Sequence, residues 1–545
     1  MHQFKNLTVL CIFISFISGC SDNEADKQSD ELLPKVEVAD RAKVLLNGTF
    51  NEEAPIPPQC YTKTEKVHNP CYTCHQNYPR IGDNTEYRYN RRDDGANQGI
   101  YTFSEVGETN SWSNLFVDKT DWVNQITDEQ ILSYVDQDNY SQLKDDLTER
   151  GWQGFTPDLK NFHLAAKAFD EKGVAKDGSG WVAFNYKPFP GTFWPTNGAT
   201  DDVLIRLPES FRQHKGQDNL DVYWVNLSLV EMTIKNIEQV SIFPINEIAI
   251  NVDINNDGNL EKGVELLKKR EYFVGDAQDI KVTLQQYPQG TEIMHSVRYV
   301  GVNDKGQISV PKRMKELRYM KKTVMMSEAD IDNQYRRERK EKLDEQLPVY
   351  TQVRDKGFNN KFGWQIKGFV EDYEGKLRPQ GYEEDFFCMG CHAAIGTTID
   401  QTFAFPRKVT GRDGWGYINL KGMVDAPSYG QNEGEILQYL RLNGGGNEFR
   451  ENLEMFAKWY NPDGTLNEEK VKQADVYELI TPSKERALAL NKAYTYIVRH
   501  QSYSKGRDAN IKPAQNVYRE IDESNPPLDA EHRLDGWDIR LIDWE

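Results

Sequence analysis

The sequence predicts an α+β protein in which helical N- and C-terminal regions flank a β-rich middle region. Residues 126–149 repeat apolar side chains at helical spacing, and helical patterns return after residue 434. Between them, short runs of β-branched and aromatic residues alternate with Gly, Pro and Asn, which is typical of strands. The 545 residues suffice for two to four domains. The net charge of −19 argues against nucleic acid or an anionic membrane surface as a partner.

Each predicted element has a local signal. Thr127 and Gln130 form a capping box at the first helix, and Thr481 and Pro482 supply an N-cap and a first helical residue near the end. The predicted elements are, in order, helices over 126–149 and 158–170, strands over 181–184, 222–227, 247–252 and 293–302, a charged surface helix over 326–347, a hairpin over 364–377, and helices over 434–442, 449–459 and 481–500.

Two pentapeptides carry the strongest chemical signal. They are Cys71-Tyr72-Thr73-Cys74-His75 and Cys388-Met389-Gly390-Cys391-His392, each a C-x-x-C-H motif. With 7 Cys and 9 His in the chain, roughly 0.0015 such motifs are expected by chance. Two thiols at this spacing can each join one vinyl group of a haem, and the next residue supplies an imidazole to the iron. A structural zinc site built from the two Cys pairs is the alternative, but zinc does not require His directly after the second Cys.

On these motifs the chain resembles a bacterial dihaem c-type cytochrome. The resemblance implies two covalently bound haem c groups, with Cys71, Cys74, Cys388 and Cys391 as attachment sites and His75 and His392 as iron ligands. The motifs lie 317 positions apart, from His75 to His392. Each haem is therefore expected in its own part of the chain, although the two can meet at an interface.

We expect six regions along the chain. They are a lipoprotein signal peptide (1–19), a flexible tether (20–45), an N-terminal haem region (46–175), a β-rich region with a calcium loop (176–310), a charged helical connector (311–360) and a C-terminal haem region (361–545).

The N-terminus predicts export and lipidation. An apolar run over 7–17 ends in Ile17-Ser18-Gly19-Cys20, which resembles a bacterial lipobox with Cys20 as the acylated residue. An ordinary secretory signal with an incidental Cys is the alternative. The resemblance implies a membrane-anchored lipoprotein of the cell envelope, periplasmic or at the outer membrane, and Ser21 favours the outer membrane.

Cys60 has no predicted partner and is expected to be buried and inert, with haem ligation or an intermolecular disulfide as alternatives.

The second axial ligand of each iron decides what a haem protein does, because two strong ligands favour electron transfer and an open position favours chemistry. His295 is the first candidate, since alternation places it on the strand face shared by Ile293 and Val297. His68 and His500 follow. A plain structural role is the alternative for each of the three.

A possible calcium site follows the predicted strand over 247–252. Oxygen donors at alternate positions resemble an EF-hand-type loop, although position twelve is Val264 rather than Glu. A simple Asn/Asp turn is the alternative. The candidate ligands are Asp253, Asn255, Asp257, Asn259 and Glu261.

Together these features predict a dihaem cytochrome c lipoprotein that transfers electrons between redox protein partners. The competing hypotheses are a dihaem oxidoreductase with one open catalytic haem, and a binding module built on the β-rich region. No catalytic residue is assigned, and an electron carrier is favoured over an enzyme.

Overall fold

The computed structural model describes residues 32–36, 56–77, 94–191 and 194–542. The predicted signal peptide, Cys20 and most of the predicted tether lie outside the described residues. The strands are β1 (Val182–Ala183), β2 (Thr200–Arg206), β3 (Gln213–His214), β4 (Gln217–Asp218), β5 (Gln239–Asn246), β6 (Lys262–Lys268), β7 (Glu292–Arg298), β8 (Gly301–Val302), β9 (Ile308–Ser309), β10 (Met314–Lys322), β11 (Thr351–Gln352), β12 (Phe358–Asn359), β13 (Trp364–Glu371) and β14 (Leu377–Pro379).

Helices surround these strands. They are α1 (Glu105–Glu108), α2 (Thr120–Asn124), α3 (Asp128–Val135), α4 (Leu143–Glu149), α5 (Ala165–Ala168), α6 (Leu220–Lys235), α7 (Glu247–Ile250), α8 (Glu328–Leu343), α9 (Tyr382–Phe386), α10 (Glu435–Asn443), α11 (Leu453–Trp459), α12 (Glu468–Gln473), α13 (Val476–Ile480) and α14 (Lys484–His500). The α+β class is therefore confirmed.

A central antiparallel sheet organises the molecule. Its order is β1-β2-β7-β10-β13-β12-β11, with β14 also paired to β13. The sheet therefore continues past residue 310, through the predicted charged connector and into the C-terminal part of the chain.

The two faces of this sheet are different. On one face, Leu204, Met294 and Leu317 join a compact apolar cluster. On each strand, the residues that alternate with these three point to the opposite face, because successive side chains of a strand point to opposite sides. In β7 that opposite face carries Ile293, His295 and Val297, and it lines a large cavity.

Two predicted strands are wrong. Residues 222–227 lie in α6, which Asn219 caps by accepting a hydrogen bond from the Val222 amide. Nearly all of α6 is buried, so its sequence is apolar on every side and lacks a helical period, and a short piece of it is indistinguishable from a buried strand. The strand predicted over 247–252 is replaced by the short helix α7 (Glu247–Ile250), which Asn251 ends with a φ of 54°.

Several predicted helices have different bounds. The helix over 126–149 is split into α3 and α4, since the Asp138 carboxylate accepts hydrogen bonds from the Tyr140 and Ser141 amides in a local turn. The helix over 158–170 shrinks to α5. The last helix is capped by Ser483, which accepts from the Arg486 amide, rather than by Thr481.

Other predictions are confirmed. The Thr127–Gln130 capping box is present, α8 is the charged surface helix, and β13 and β14 form the predicted hairpin. The strand over 293–302 corresponds to β7 and β8.

Candidate functional site

The two C-x-x-C-H pentapeptides adopt the same backbone turn. In the first, the amides of Cys74 and His75 donate to the Cys71 carbonyl at 3.1 and 2.8 Å. In the second, Cys391 and His392 donate to the Cys388 carbonyl at 3.2 and 2.9 Å. One tight turn thus gathers two thiols and an imidazole in each motif.

Buried neighbours fix each turn. Tyr72 is completely buried and packs edge-on against Trp537, with ring centroids 4.6 Å apart. Met389 occupies the corresponding place in the second motif and is buried in the main core. The second residue of each pentapeptide therefore anchors the turn.

The fold brings the two motifs together. The Thr397 amide, five residues after His392, donates to the Cys74 carbonyl at 3.0 Å. The Asp94 carboxylate forms a second link, since its two oxygens accept from the amides of Gln76 and Gly396, both at 3.0 Å. Segments more than 300 residues apart in sequence are therefore hydrogen-bonded neighbours.

Both motifs line one cavity, which includes about 2790 Å³ of space unoccupied by protein atoms, with its opening to solvent counted. Of the six Cys and His residues in the two motifs, only Cys71 does not line it. The motif residues on its wall are Cys74, His75, Cys388, Cys391 and His392.

The sheet forms another wall of this cavity. His295 in β7 is paired in register with Val203 in β2 and with Arg318 in β10, so the three side chains lie side by side on one face. Arg318 donates to Glu316 at 3.0 Å, lines the cavity and keeps 31% of its side chain exposed. Its guanidinium therefore presents charge to the cavity.

The hydrogen bonding and burial of His392 fix its tautomer and its charge. Its Nδ1 atom lies 2.9 Å from the Gln401 carbonyl, which can only accept, so Nδ1 carries the proton and Nε2 keeps its lone pair. Burial lowers the pKa of His392 to about 4, despite the opposing hydrogen bond to the Gln401 carbonyl. The ring is therefore neutral near pH 7, which is the form that binds metal.

His75 has a different partner. Its Nδ1 atom lies 3.3 Å from Oδ2 of Asp94, an ion-pair contact without the angle of a good hydrogen bond. The His75 carbonyl accepts from Gln98 at 2.9 Å. A carboxylate thus faces His75 where a carbonyl faces His392.

His295 is the predicted second ligand that reaches the cavity. Its Nε2 atom is buried, lacks a hydrogen-bond partner among the described residues and lies 3.5 Å from Oδ2 of Asp201. A buried ring nitrogen without a hydrogen bond lowers the stability of the fold unless another group binds it.

The other two candidate histidines lie elsewhere. His68 packs against Gly444, and burial lowers its pKa. His500 stacks on Tyr496, with centroids 4.0 Å apart, and its Nδ1 atom lies 2.8 Å from the Tyr496 carbonyl. Neither side chain lines the cavity.

The cysteines of the described segments are all free thiols. Burial is the main cause that raises the pKa of Cys71 and Cys388 to about 11 and that of Cys391 to about 12. Cys60 also lines the cavity, and burial followed by the neighbouring Cys71 and Cys391 raises its pKa further. Within the described ranges, no three His, Cys, Asp or Glu side chains are grouped to hold a metal ion, so the thiols do not converge as in a zinc site.

The predicted calcium loop is closed by its own hydrogen bonds. Asp253 accepts from the Gly258 amide at 2.8 Å, and Asp257 accepts from the Asn259 amide at 2.8 Å. Gly258 has a φ of 89°, as the predicted sharp turn requires. Asn255, Asn259 and Glu261 complete the candidate ligands. No metal-holding group is found among the described residues, and calcium binding stays a prediction.

Sequence reasoning did not find Asp94, Gln401 or Arg318. Asp94 and Gln401 act through contacts that no motif or periodicity encodes. Arg318 had one usable signal, because β10 alternates and places Glu316, Arg318 and Met320 on one face.

Comparison with known proteins identifies the family. A lipoprotein family model, described as "-like lipoprotein", matches residues 44–477. The chain belongs to this lipoprotein family. It is 31% identical over 551 positions to a protein of Aquifex aeolicus (strain VF5) described as an uncharacterized lipoprotein, covering 89% of this chain and 91% of that relative. No solved structure matches.

Membership agrees with the predicted address. The lipoprotein is an envelope protein held at a membrane by its lipid anchor. Within the described segments, none of the helices has the length and apolar character needed to span a bilayer.

Proposed function

We propose that this lipoprotein binds two haem c groups covalently, one at each C-x-x-C-H motif, and passes electrons between redox partners of the cell envelope. The observation that carries the proposal is the shared cavity, which both motifs line with the same backbone turn. Two unrelated Cys/His motifs would not be expected to share one backbone turn and one cavity.

The residues fit a covalently attached haem. Each thiol would add its S–H across one vinyl group, so that a C–S bond forms and the hydrogen goes to the neighbouring carbon. The Nδ1 atom of His392 faces the Gln401 carbonyl and that of His75 faces the Asp94 carboxylate. Neither Nε2 atom has a described hydrogen-bond partner, so each would be available to iron. The aromatic wall, including Phe387 and Phe403, would exclude water from the site.

When bound, haem iron supplies a one-electron couple. The chain's contribution is to hold the two binding segments next to each other. The hydrogen bond from Thr397 to Cys74 and the Asp94 bridge fix their separation, so an electron can pass between the two sites inside one protein.

His295 would be the second iron ligand that this cavity offers. It lines the cavity together with His392, and among the described residues its Nε2 atom has no hydrogen-bond partner, only the Asp201 carboxylate at 3.5 Å. A bis-histidine iron would favour electron transfer over substrate chemistry.

Covalent haem is tested by counting it. The purified lipoprotein should contain two haems by pyridine haemochrome assay and by intact mass. Replacing Cys71 and Cys74 by Ala, or Cys388 and Cys391 by Ala, should each leave one. Cys60→Ala is the matched control, because that thiol lines the same cavity but belongs to neither motif. This variant should retain two haems. A wild-type protein without covalent haem overturns the proposal.

An oxidoreductase is the second candidate, and the free guanidinium face of Arg318 favours it. This cation stands beside His295 in the cavity and suits a small anionic substrate. EPR of the oxidised protein and CO binding to the reduced protein separate the candidates. Two low-spin haems that ignore CO support the carrier, whereas a high-spin, CO-binding haem supports the enzyme.

Lipidation is proposed at Cys20, with the periplasmic or outer-membrane face left to experiment. Cys20→Ala should move the protein from membranes to the soluble envelope fraction. Sucrose-gradient separation of the two membranes of the wild type would assign the membrane.

A further inference from the structure

The two candidate iron ligands differ in the charge that surrounds them. His75 faces the Asp94 carboxylate, which is 17% exposed and whose oxygens are also held by the Gln76 and Gly396 amides. His392 faces a neutral carbonyl, that of Gln401. The same ring nitrogen thus meets an anion in one motif and a dipole in the other.

A second difference acts in the same direction. Arg318 lies close enough to His392 and Cys391 to influence the pKa of both groups. Its partner Glu316 is shared with Arg507 at 2.8 Å, so two guanidinium groups face one carboxylate there. A cation therefore stands beside the second motif, where an anion stands beside the first.

Contacts of this kind set the reduction potential of a bound haem. A carboxylate beside a ligating imidazole places a negative charge near the iron, and this charge favours the oxidised iron. A carbonyl does this more weakly, and a nearby cation favours the reduced iron.

We infer that Asp94 and Arg318 are positioning residues that set two unequal reduction potentials, with the His75 haem lower than the His392 haem. The inference rests on the proposed covalent haems. It gives the electron transfer a direction, because an electron that enters at the His75 site moves downhill to the His392 site.

Asp94→Asn tests the first half. In spectroelectrochemical titration, the wild type should give two one-electron waves. In the variant, the midpoint potential of the lower wave should rise by at least about 59 mV, which corresponds to a tenfold change in the ratio of reduced to oxidised haem for one electron. The potential of the upper wave should not change. Asp535→Asn is the matched control, because Asp535 lies beside the first motif, accepts from Asn77 at 2.7 Å and does not touch His75. Asp94→Glu keeps the charge and should restore a low wave.

Arg318→Gln tests the second half and does not depend on the folding of the Asp94 variant. It should lower the upper wave and leave the lower one, while Arg507 still pairs with Glu316. Two coincident waves in the wild type, or variants that shift both waves equally or neither, overturn the inference. Loss of covalent haem in the wild type would instead overturn the proposed function, so the two failures are distinguishable.

Discussion

The buried ion pair between Lys322 and Asp400 supports the second motif and gives a sharp stability prediction. The Lys322 ammonium lies 2.5 Å from Asp400, and the two side chains are 0% and 3% exposed. Asp400 directly precedes Gln401, whose carbonyl accepts from His392. The pair therefore holds the turn that orients the imidazole.

Lys322→Met should be costly because it leaves a carboxylate buried without its cation. Asp400 would keep one described hydrogen bond, from the Tyr287 amide at 3.0 Å. Removing one partner of a buried pair typically costs about 3–5 kcal/mol. Lys321→Met is the matched control, because this neighbouring side chain is 45% exposed and lies 3.7 Å from Glu292, so its loss should cost about 0–1 kcal/mol.

The assay is urea unfolding followed by both tryptophan fluorescence and circular dichroism, whose coincidence justifies a two-state free energy. The double variant, Lys322→Met with Asp400→Asn, should cost less than Lys322→Met alone, since no unpaired charge remains. If Lys322→Met behaves like Lys321→Met, or if the double variant is as unstable as the single one, the reasoning about this pair is refuted.

Two further predictions concern the same cavity. Burial raises the pKa of Glu316, but the two arginines beside it outweigh burial and lower the pKa from 4.5 to about 2. Stability from this carboxylate is therefore complete above about pH 4.5 and is lost as pH falls toward 2, by about 3 kcal/mol, and Glu316→Gln should flatten that slope in acid unfolding curves. Gly396→Ala should disrupt the junction of the motifs, because its Cβ would lie 1.9 Å from the Asp94 carboxylate. Gly381→Ala is the control, since its Cβ would lie 3.5 Å from the nearest atom, an oxygen of Glu384. Haem counts and melting curves that do not distinguish the two variants would contradict this prediction.

Local signals in the sequence were reliable where a few adjacent residues decide the structure. The Thr127 capping box, the charged helix α8 and the β13–β14 hairpin all depend on neighbours in the chain, and all three were predicted. They failed in α6, because burial on every side removes the periodicity that separates a helix from a strand.

The sequence by itself determined the α+β class and singled out the two C-x-x-C-H motifs, because periodicity and Cys/His spacing are local properties of the chain. It also placed His295 on the correct strand face. Only the tertiary structure decided that residues 317 positions apart line one cavity, that Asp94 meets His75 while Gln401 meets His392, and that Arg318 stands beside His295. These are contacts across the sheet and between distant loops. They form only when residues far apart in the chain come together, and patterns of neighbouring residues do not predict such contacts.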